Sequence, residues 1–407
     1  MKKIQGGVTA AKGFAAAGAE AGIKYQNRMD MALIYSKVPC VCAGTFTSNV
    51  VKAAPVLWDK KIVESYDTAQ AVVVNSGIAN ACTGSQGLSV CEAEAACAGK
   101  LLGISKEAVF VASTGVIGMQ IPEEKICAGI EKLVTVKEET LQAGNDAARA
   151  IMTTDTISKE VAVEIELSGK KVTIGGMCKG SGMIHPNMCT MLGFVTTDAS
   201  ISKELLTKAV KADVVDSFNM ISVDGDTSTN DTLLVMANGM AENDTIVSEG
   251  EDFQIFCEAL HEVTTTLAKK MAGDGEGATA LFETKVIHAD TKEHARILAK
   301  SVICSSLTKA AIFGHDANWG RILCALGYSG VTFDPENVDL YFEGEGKRIA
   351  IFQNGVACDY SEEEASAILS CKEVTALVDM HMGEESATAW GCDLSYDYVK
   401  INADYRS

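Results

Sequence analysis

Short apolar, β-branched runs alternate with segments of helical spacing along almost the whole chain, and this alternation limits the fold more than any other feature. Residues 70–75 (QAVVVN) read as a buried strand, 87–102 as a helix rich in Ala and Glu, and 108–112 (AVFVA) as a strand leading into the loop STGVIG. Helices are expected at 122–134 and 138–152. Residues 160–175 alternate in polarity, with a turn at Ser168-Gly169-Lys170, so they read as a hairpin. A Gly-rich segment, KGSGMIHPNMCT, is followed by a strand in LGFVTTDA. The second half repeats the style, with helices at 202–218, 251–271 and 291–305 and strands at 232–237 and 278–287. A hairpin over 339–355 turns near Glu343-Gly344-Glu345-Gly346. Hairpins mixed with crossovers speak against a Rossmann-type nucleotide fold. The expected class is α/β (α+β): a layered α-β-β-α type sandwich of mixed sheets with helices outside, plus a smaller C-terminal lobe.

Composition narrows the function. At 407 residues, with 47% apolar residues, the chain can bury a sizeable core and is too apolar for whole-chain disorder. A net charge of −19 repels phosphate backbones and anionic lipid surfaces, so neither nucleic acid nor a membrane is an expected partner. No run approaches the length of a membrane-spanning helix. Lys12, Glu20 and Lys24 interrupt any apolar core of a secretory signal. The fourteen cysteines form no CxxC pair, and they read as reduced, buried thiols of a cytoplasmic protein.

Several motifs carry little weight. GDGEGATA (273–280) lacks the GxxxxGK[ST] pattern and follows a helix, so it reads as a turn carrying one useful acid. DGDTSTND (224–231) starts like a calcium loop, but Ser228 and Thr229 occupy the positions that need Asp/Asn and Gly. The six histidines form no HExxH pair, and His185, beside the Gly-rich segment, reads as a packed loop residue. Ser76 sits in NSGIAN, which is not a nucleophile elbow. No metal site is expected.

Residues 179–199, KGSGMIHPNMCTMLGFVTTDA, place small Cys189 directly before Thr190. A lone Thr in an apolar strand is ordinarily a β-former. Here its hydroxyl can attack the preceding carbonyl, and water can then cleave the resulting ester. The new chain begins at Thr190, whose α-amino group, with a reference pKa of ~7.7–8.0, serves as base to its own hydroxyl.

The segment closely resembles the KGSGMIxPNMATML signature of the glutamate N-acetyltransferase (ornithine acetyltransferase) family of arginine biosynthesis. GGVTAAKGF, NSGIANACTG, ASTGVIG, AIMTTDT, SVDGDTSTNDT, GEGATA, GHDANWGRI and INADYRS also look like that family's blocks, so the resemblance spans essentially the whole chain. Residue 11 is Ala where Pro is usual, and residue 189 is Cys where Ala is usual. The resemblance implies self-cleavage between Cys189 and Thr190, giving an α chain of 1–189 and a β chain of 190–407 that share one core. Two of each would assemble in the cytoplasm. It implies ping-pong transfer of acetyl from N-acetylornithine to Thr190 and then to glutamate, with no cofactor. Acetyl-CoA stays open as a second donor.

By the same resemblance, Thr114 and Gly115 supply the oxyanion donors, while Thr153, Lys179, Thr190, Glu276, Asn402 and Ser407 contact substrate. A cation at Lys179 suits the α-carboxylates, and a carboxylate at Glu276 suits the ammonium end of ornithine. Thr154 stands beside Thr153 as an alternative contact. Two other readings remain: an N-terminal-nucleophile amidase or aminopeptidase that passes the acyl group to water, and a non-catalytic amino-acid-binding module that stays one intact chain.

Overall fold

The computed structural model describes residues 1–185 and 191–403. Among these, nine strands form one sheet. Its order is Lys2–Ile4, Lys159–Leu167, Lys170–Lys179, Leu192–Thr197, Thr232–Ala237, Met31–Phe46, Thr68–Ile78 and Val109–Val116, with Phe14–Ala19 also paired to Met31–Phe46. The pairs of Leu192–Thr197 with Thr232–Ala237 and of Thr68–Ile78 with Val109–Val116 are parallel, and the rest are antiparallel.

The long strand Met31–Phe46 folds this sheet back on itself. Its first part pairs with Phe14–Ala19 and Thr68–Ile78, and residues 41–46 pair with Thr232–Ala237. Between Tyr35 and Cys40 the register breaks, at a stretch that contains Pro39, which has no N–H to give to a ladder. Alternating side chains then divide between an inner and an outer face on each arm. Ala32, Ile34, Val72, Val74 and Phe110 from one arm meet Met177, Leu192, Phe194, Leu234 and Met236 from the other in a shared core. The outer face of the first arm, with Leu33, Val73 and Val111, packs against the helices Gly84–Leu102 and Glu123–Val136. The outer face of the second, with Ile174, Val195 and Val235, packs against Lys203–Asp216 and Glu251–Gly273. The result is the α-β-β-α sandwich expected from the sequence.

A second sheet of seven strands forms the C-terminal lobe. Its order is Val356–Ala357, Lys347–Gln353, Asp339–Gly344, Glu373–Asp379, Leu281–Ala289, Glu385–Cys392 and Ile221–Ser222. The helix Glu251–Gly273 touches strands of both sheets and so joins the lobe to the sandwich.

Both predicted hairpins form around two-residue turns. Ser168 and Gly169 have φ of 50° and 72°, and Glu345 and Gly346 have 48° and 78°, the left-handed pairs that match strand twist. The expected loop STGVIG is in part strand, because Val109–Val116 stays paired through Gly77↔Gly115. None of the thirteen described cysteines is in a disulfide. Among the described residues no helix is long and apolar enough to cross a membrane.

Candidate active site

A cleft opens where the inner strands of the sandwich end. Thr114, Gly115, Thr153, Thr154, Lys179, Glu276 and Asn402 all line it, so six of the residues singled out in the sequence, and the alternative Thr154, come together. Cys189, Thr190 and Ser407 lie outside the described residues. The segments on both sides of residue 190 do line the cleft, through Gly180, Gly182, Met183 and Ile184 before it and Met191 and Leu192 after it.

Gly115 shapes one wall. Its φ is 129°, and a Cβ there would lie 2.2 Å from the carbonyl carbon of Gly77 on the neighbouring strand. Only glycine allows that approach. The parallel register slips at the next residue, Ile78, a bulge that turns the ends of both strands. Asn230 Nδ2 donates to Ser113 O at 2.7 Å and ties the facing loop to the same strand.

Lys179 closes the strand Lys170–Lys179 and is 8% exposed. Its Nζ donates to Thr153 Oγ1 at 2.9 Å and to Thr114 Oγ1 at 3.3 Å, and Asp155 Oδ2 lies 3.9 Å away. One ammonium thus links Thr114 to Thr153. Thr154 lines the cleft beside Thr153. Burial pushes the Lys179 pKa below its usual value, against the pull of Asp155.

Beneath this wall lies an ionic cluster that the sequence reading missed. Lys159 is fully buried and contacts Asp155 Oδ1 at 2.8 Å and Asp274 Oδ2 at 2.5 Å. Asp155 Oδ1 also accepts from Gly180 N at 2.7 Å, and its Oδ2 from Thr153 N at 3.0 Å. Burial pushes the Asp155 carboxyl up, but Lys179 and Lys159 outweigh it and hold the group well below the usual carboxylate range. Asp155 stands in the quoted block AIMTTDT, four residues before Lys159. That spacing was a signal only if one knew that both side chains turn inward.

Glu276 and Asn402 form the opposite wall. Asn402 Nδ2 donates to Glu276 Oε2 at 2.7 Å, and Glu276 N donates to Ser181 O at 2.9 Å. Gly182 leaves the carboxylate its room, since a Cβ there would sit 2.3 Å from Glu276 Oε2. Gly277, at φ 70°, lets the helix Tyr396–Ala403 come close: a Cβ would lie 2.7 Å from Tyr398 N. The C-terminal helix therefore reaches the cleft through the glycines around one acid.

The loop dismissed as a failed calcium motif forms another wall, with Ser228, Thr229, Asn230 and Asp231. Asp224 pins the Gly-rich segment by accepting from Met183 N at 2.6 Å and Ile184 N at 2.8 Å. Asp231 is fully buried, and burial pushes its carboxyl well above the usual value. The hydroxyls of Thr47 and Ser228 face it but donate elsewhere, to Ser228 O at 2.8 Å and Asn230 Oδ1 at 2.7 Å. His185 does not line the cleft; its Nδ1 lies 3.1 Å from Ser222 Oγ, and burial pushes its pKa down to about 4.

Chemically, the cleft offers a buried cation flanked by two threonine hydroxyls, an acid held by an amide, and a glycine-shaped strand end. This set suits a zwitterionic amino acid and an acyl group. A family model described as the ArgJ family matches residues 15–407. The arginine biosynthesis bifunctional protein ArgJ 1 of Clostridium acetobutylicum is 52% identical over 394 residues, 97% of this chain and 96% of that protein. The arginine biosynthesis bifunctional protein ArgJ of Caldanaerobacter subterraneus subsp. tengcongensis is 50% identical over 407 residues, 100% of both. The crystal structure of the ArgJ protein of Bacillus halodurans is 47% identical, with a TM-score of 0.51, and covers 53% of this chain and 99% of that one.

Proposed function

The chain belongs to the ArgJ family, and from that premise we propose how its cleft performs the acetyl transfer of arginine biosynthesis. It is a glutamate N-acetyltransferase of the bifunctional type, an ornithine acetyltransferase that also has amino-acid N-acetyltransferase activity. The observation that carries the mechanism is the meeting of Thr114, Thr153 and Lys179 in one cleft with Glu276 and Asn402, beside both flanks of residue 190.

Thr190, freed by cleavage after Cys189, attacks the acetyl carbonyl of N-acetylornithine. Its α-amino group takes the hydroxyl proton and returns one to the departing ornithine amine. Thr114 Oγ1 and the Gly115 N–H receive the charge that develops on the carbonyl oxygen. Lys179 meets the substrate α-carboxylate, and Glu276 meets the side-chain ammonium of ornithine. Glutamate then enters and takes the acetyl group from Thr190. Acetyl-CoA reaches the same acetyl-enzyme as a second donor. Ser407 adds a hydroxyl contact at the end of the chain. The processed enzyme assembles from two α and two β chains in the cytoplasm.

Cleavage near residue 190 has indirect support. The Bacillus halodurans chain is covered over 99% of its length by 53% of this one, so it is about half as long. The decisive measurement is the intact mass of the purified protein with N-terminal sequencing. Two pieces are expected, one beginning Thr190-Met191-Leu192. Thr190→Ala should remain a single 42.9 kDa chain without transfer activity. Full activity in that variant would sink the mechanism.

A further inference from the structure

We propose that His288, Asp379 and His381, backed by Asp339, form a binding site for one divalent cation of the zinc type on the C-terminal lobe, outside the acetyl-transfer cleft. The ligand atoms of His288, Asp379 and His381 all lie within 4.8 Å of one another. His288 stands at a register break near the end of Leu281–Ala289. Asp379 ends Glu373–Asp379, and His381 follows in the connection to Glu385–Cys392. Asp339 begins Asp339–Gly344 and is the direct cross-strand partner of Asp379. Two carboxylates placed opposite each other on paired strands repel. Something positive is needed where they meet.

The hydrogen bonds show where that charge belongs. His288 Nδ1 lies 2.8 Å from Asp379 Oδ1, and His381 Nδ1 lies 3.4 Å from the same oxygen. His381 Nε2 lies 3.1 Å from Asp339 Oδ2. With Nε2 on Asp339, His381 turns Nδ1 toward the same Asp379 oxygen that His288 Nδ1 faces. A metal ion set between these atoms would be ligated by both ring nitrogens and the carboxylate oxygen. A carboxylate on the outer ring nitrogen of a histidine is also the usual second partner of a metal-bound imidazole, because it fixes the tautomer and raises ligand basicity. Asp339 is itself held, by Asn354 N at 3.3 Å and Tyr341 OH at 3.3 Å.

The site is preformed. His288 and His381 both have left-handed backbones, at φ 53° and 49°, which non-glycine residues seldom adopt. Met382 N and Gly383 N both donate to His288 O, at 2.7 and 2.9 Å, and lock the two connections together. The rings stack with centroids 6.3 Å apart. A tetrahedral ion with bonds of ~2.0–2.2 Å keeps its ligand atoms ~3.3–3.5 Å apart, so the existing spacing needs only small side-chain rotations. Two imidazoles and one carboxylate select zinc, cobalt or nickel over calcium or magnesium. The histidine side chains are 51% and 41% exposed, which leaves the fourth position to water.

The test uses the full chain, stripped by chelator and titrated with Co²⁺ near neutral pH. One cobalt per chain should bind, with the visible absorption of a tetrahedral nitrogen–oxygen site, and Zn²⁺ should displace it. His288→Gln and His381→Gln should abolish the signal, with acetyl transfer unchanged, and Asp339→Asn should weaken binding about 10–100-fold. No binding by the wild type, or equal binding by both histidine variants, overturns the site; a proton shared by His381 and the carboxylates then fills the gap. A second readout needs no variant: Zn²⁺ should protect His288 and His381 from diethyl pyrocarbonate in the native enzyme. Undiminished labelling at both also overturns the proposal.

Discussion

Lys159→Met should unfold this protein far more readily than its distance from any reacting atom suggests. The lysine is fully buried between Asp155 and Asp274, which are themselves 8% and 7% exposed. With Lys179 the cluster holds two cations and two carboxylates, and the substitution leaves it one positive charge short. Asp155 keeps Lys179 at 3.9 Å and two backbone donors, while Asp274 keeps the N–H and hydroxyl of Thr156. Breaking a buried pair by removing one partner costs ~3–5 kcal/mol. With a urea dependence of about 3 kcal/mol per molar, that lowers the denaturation midpoint by roughly 1–2 M.

The pH profile separates electrostatics from lost packing. The folded Asp155 carboxyl is held below its unfolded value. The stability it adds is therefore full above about pH 4 and is lost as pH falls through the folded pKa. With Lys159 gone the folded carboxyl rises, so the variant's acid unfolding should begin at a higher pH than the wild type's. Urea midpoints measured from neutral to acid pH check both points. A variant with the wild-type midpoint and acid limb would refute the reasoning, because Asp155 and Asp274 would then not need the lysine.

Gly115→Ala should fold but lose about 10²–10³ in kcat with a smaller change in KM, because its Cβ meets Gly77 and moves an oxyanion donor; steady-state transfer kinetics decide it, and near-normal kcat would remove Gly115 from the mechanism. Asp231→Asn should keep kcat within a few-fold near neutral pH, since burial pushes that carboxyl toward its neutral form, which the amide mimics. A loss beyond about 100-fold (~2.7 kcal/mol) would mean that the ionised form acts in the reaction. Glu94→Gln should be stabilising, increasingly so as pH rises. Burial raises the Glu94 pKa from 4.5 to about 8, so the unfolded chain ionises first and wild-type stability falls across that interval. Melting temperatures of both proteins measured between those two pH values should diverge, and parallel curves would refute it.

The parts of the fold legible in the sequence were those whose pattern is local. Period-two alternation and the turn residues located the hairpin through Ser168 and Gly169, and a compact apolar run located Thr232–Ala237. The strand Met31–Phe46 was missed although the whole sandwich turns on it. Its two ends serve different arms, so its side chains keep no single alternation, and Pro39 argues against a strand when read alone. Glycine gave a mixed signal: the motif fixed Gly115 and Gly182 as positions, while the reason for each lies in a Gly77 carbonyl and a Glu276 carboxylate distant in sequence. The same limit explains the chemistry. Thr114, Thr153, Lys179, Glu276 and Asn402 were found because family blocks mark them. Asp155, Lys159 and Asp274 were not found, because a charged residue in a sequence is a solvated one until packing closes over it. Nor did any spacing tie His288 to Asp379 and His381, which strand pairing alone brings together. Motifs reported the residues that line the cleft, and only the folded chain reported the charges that hold them in place.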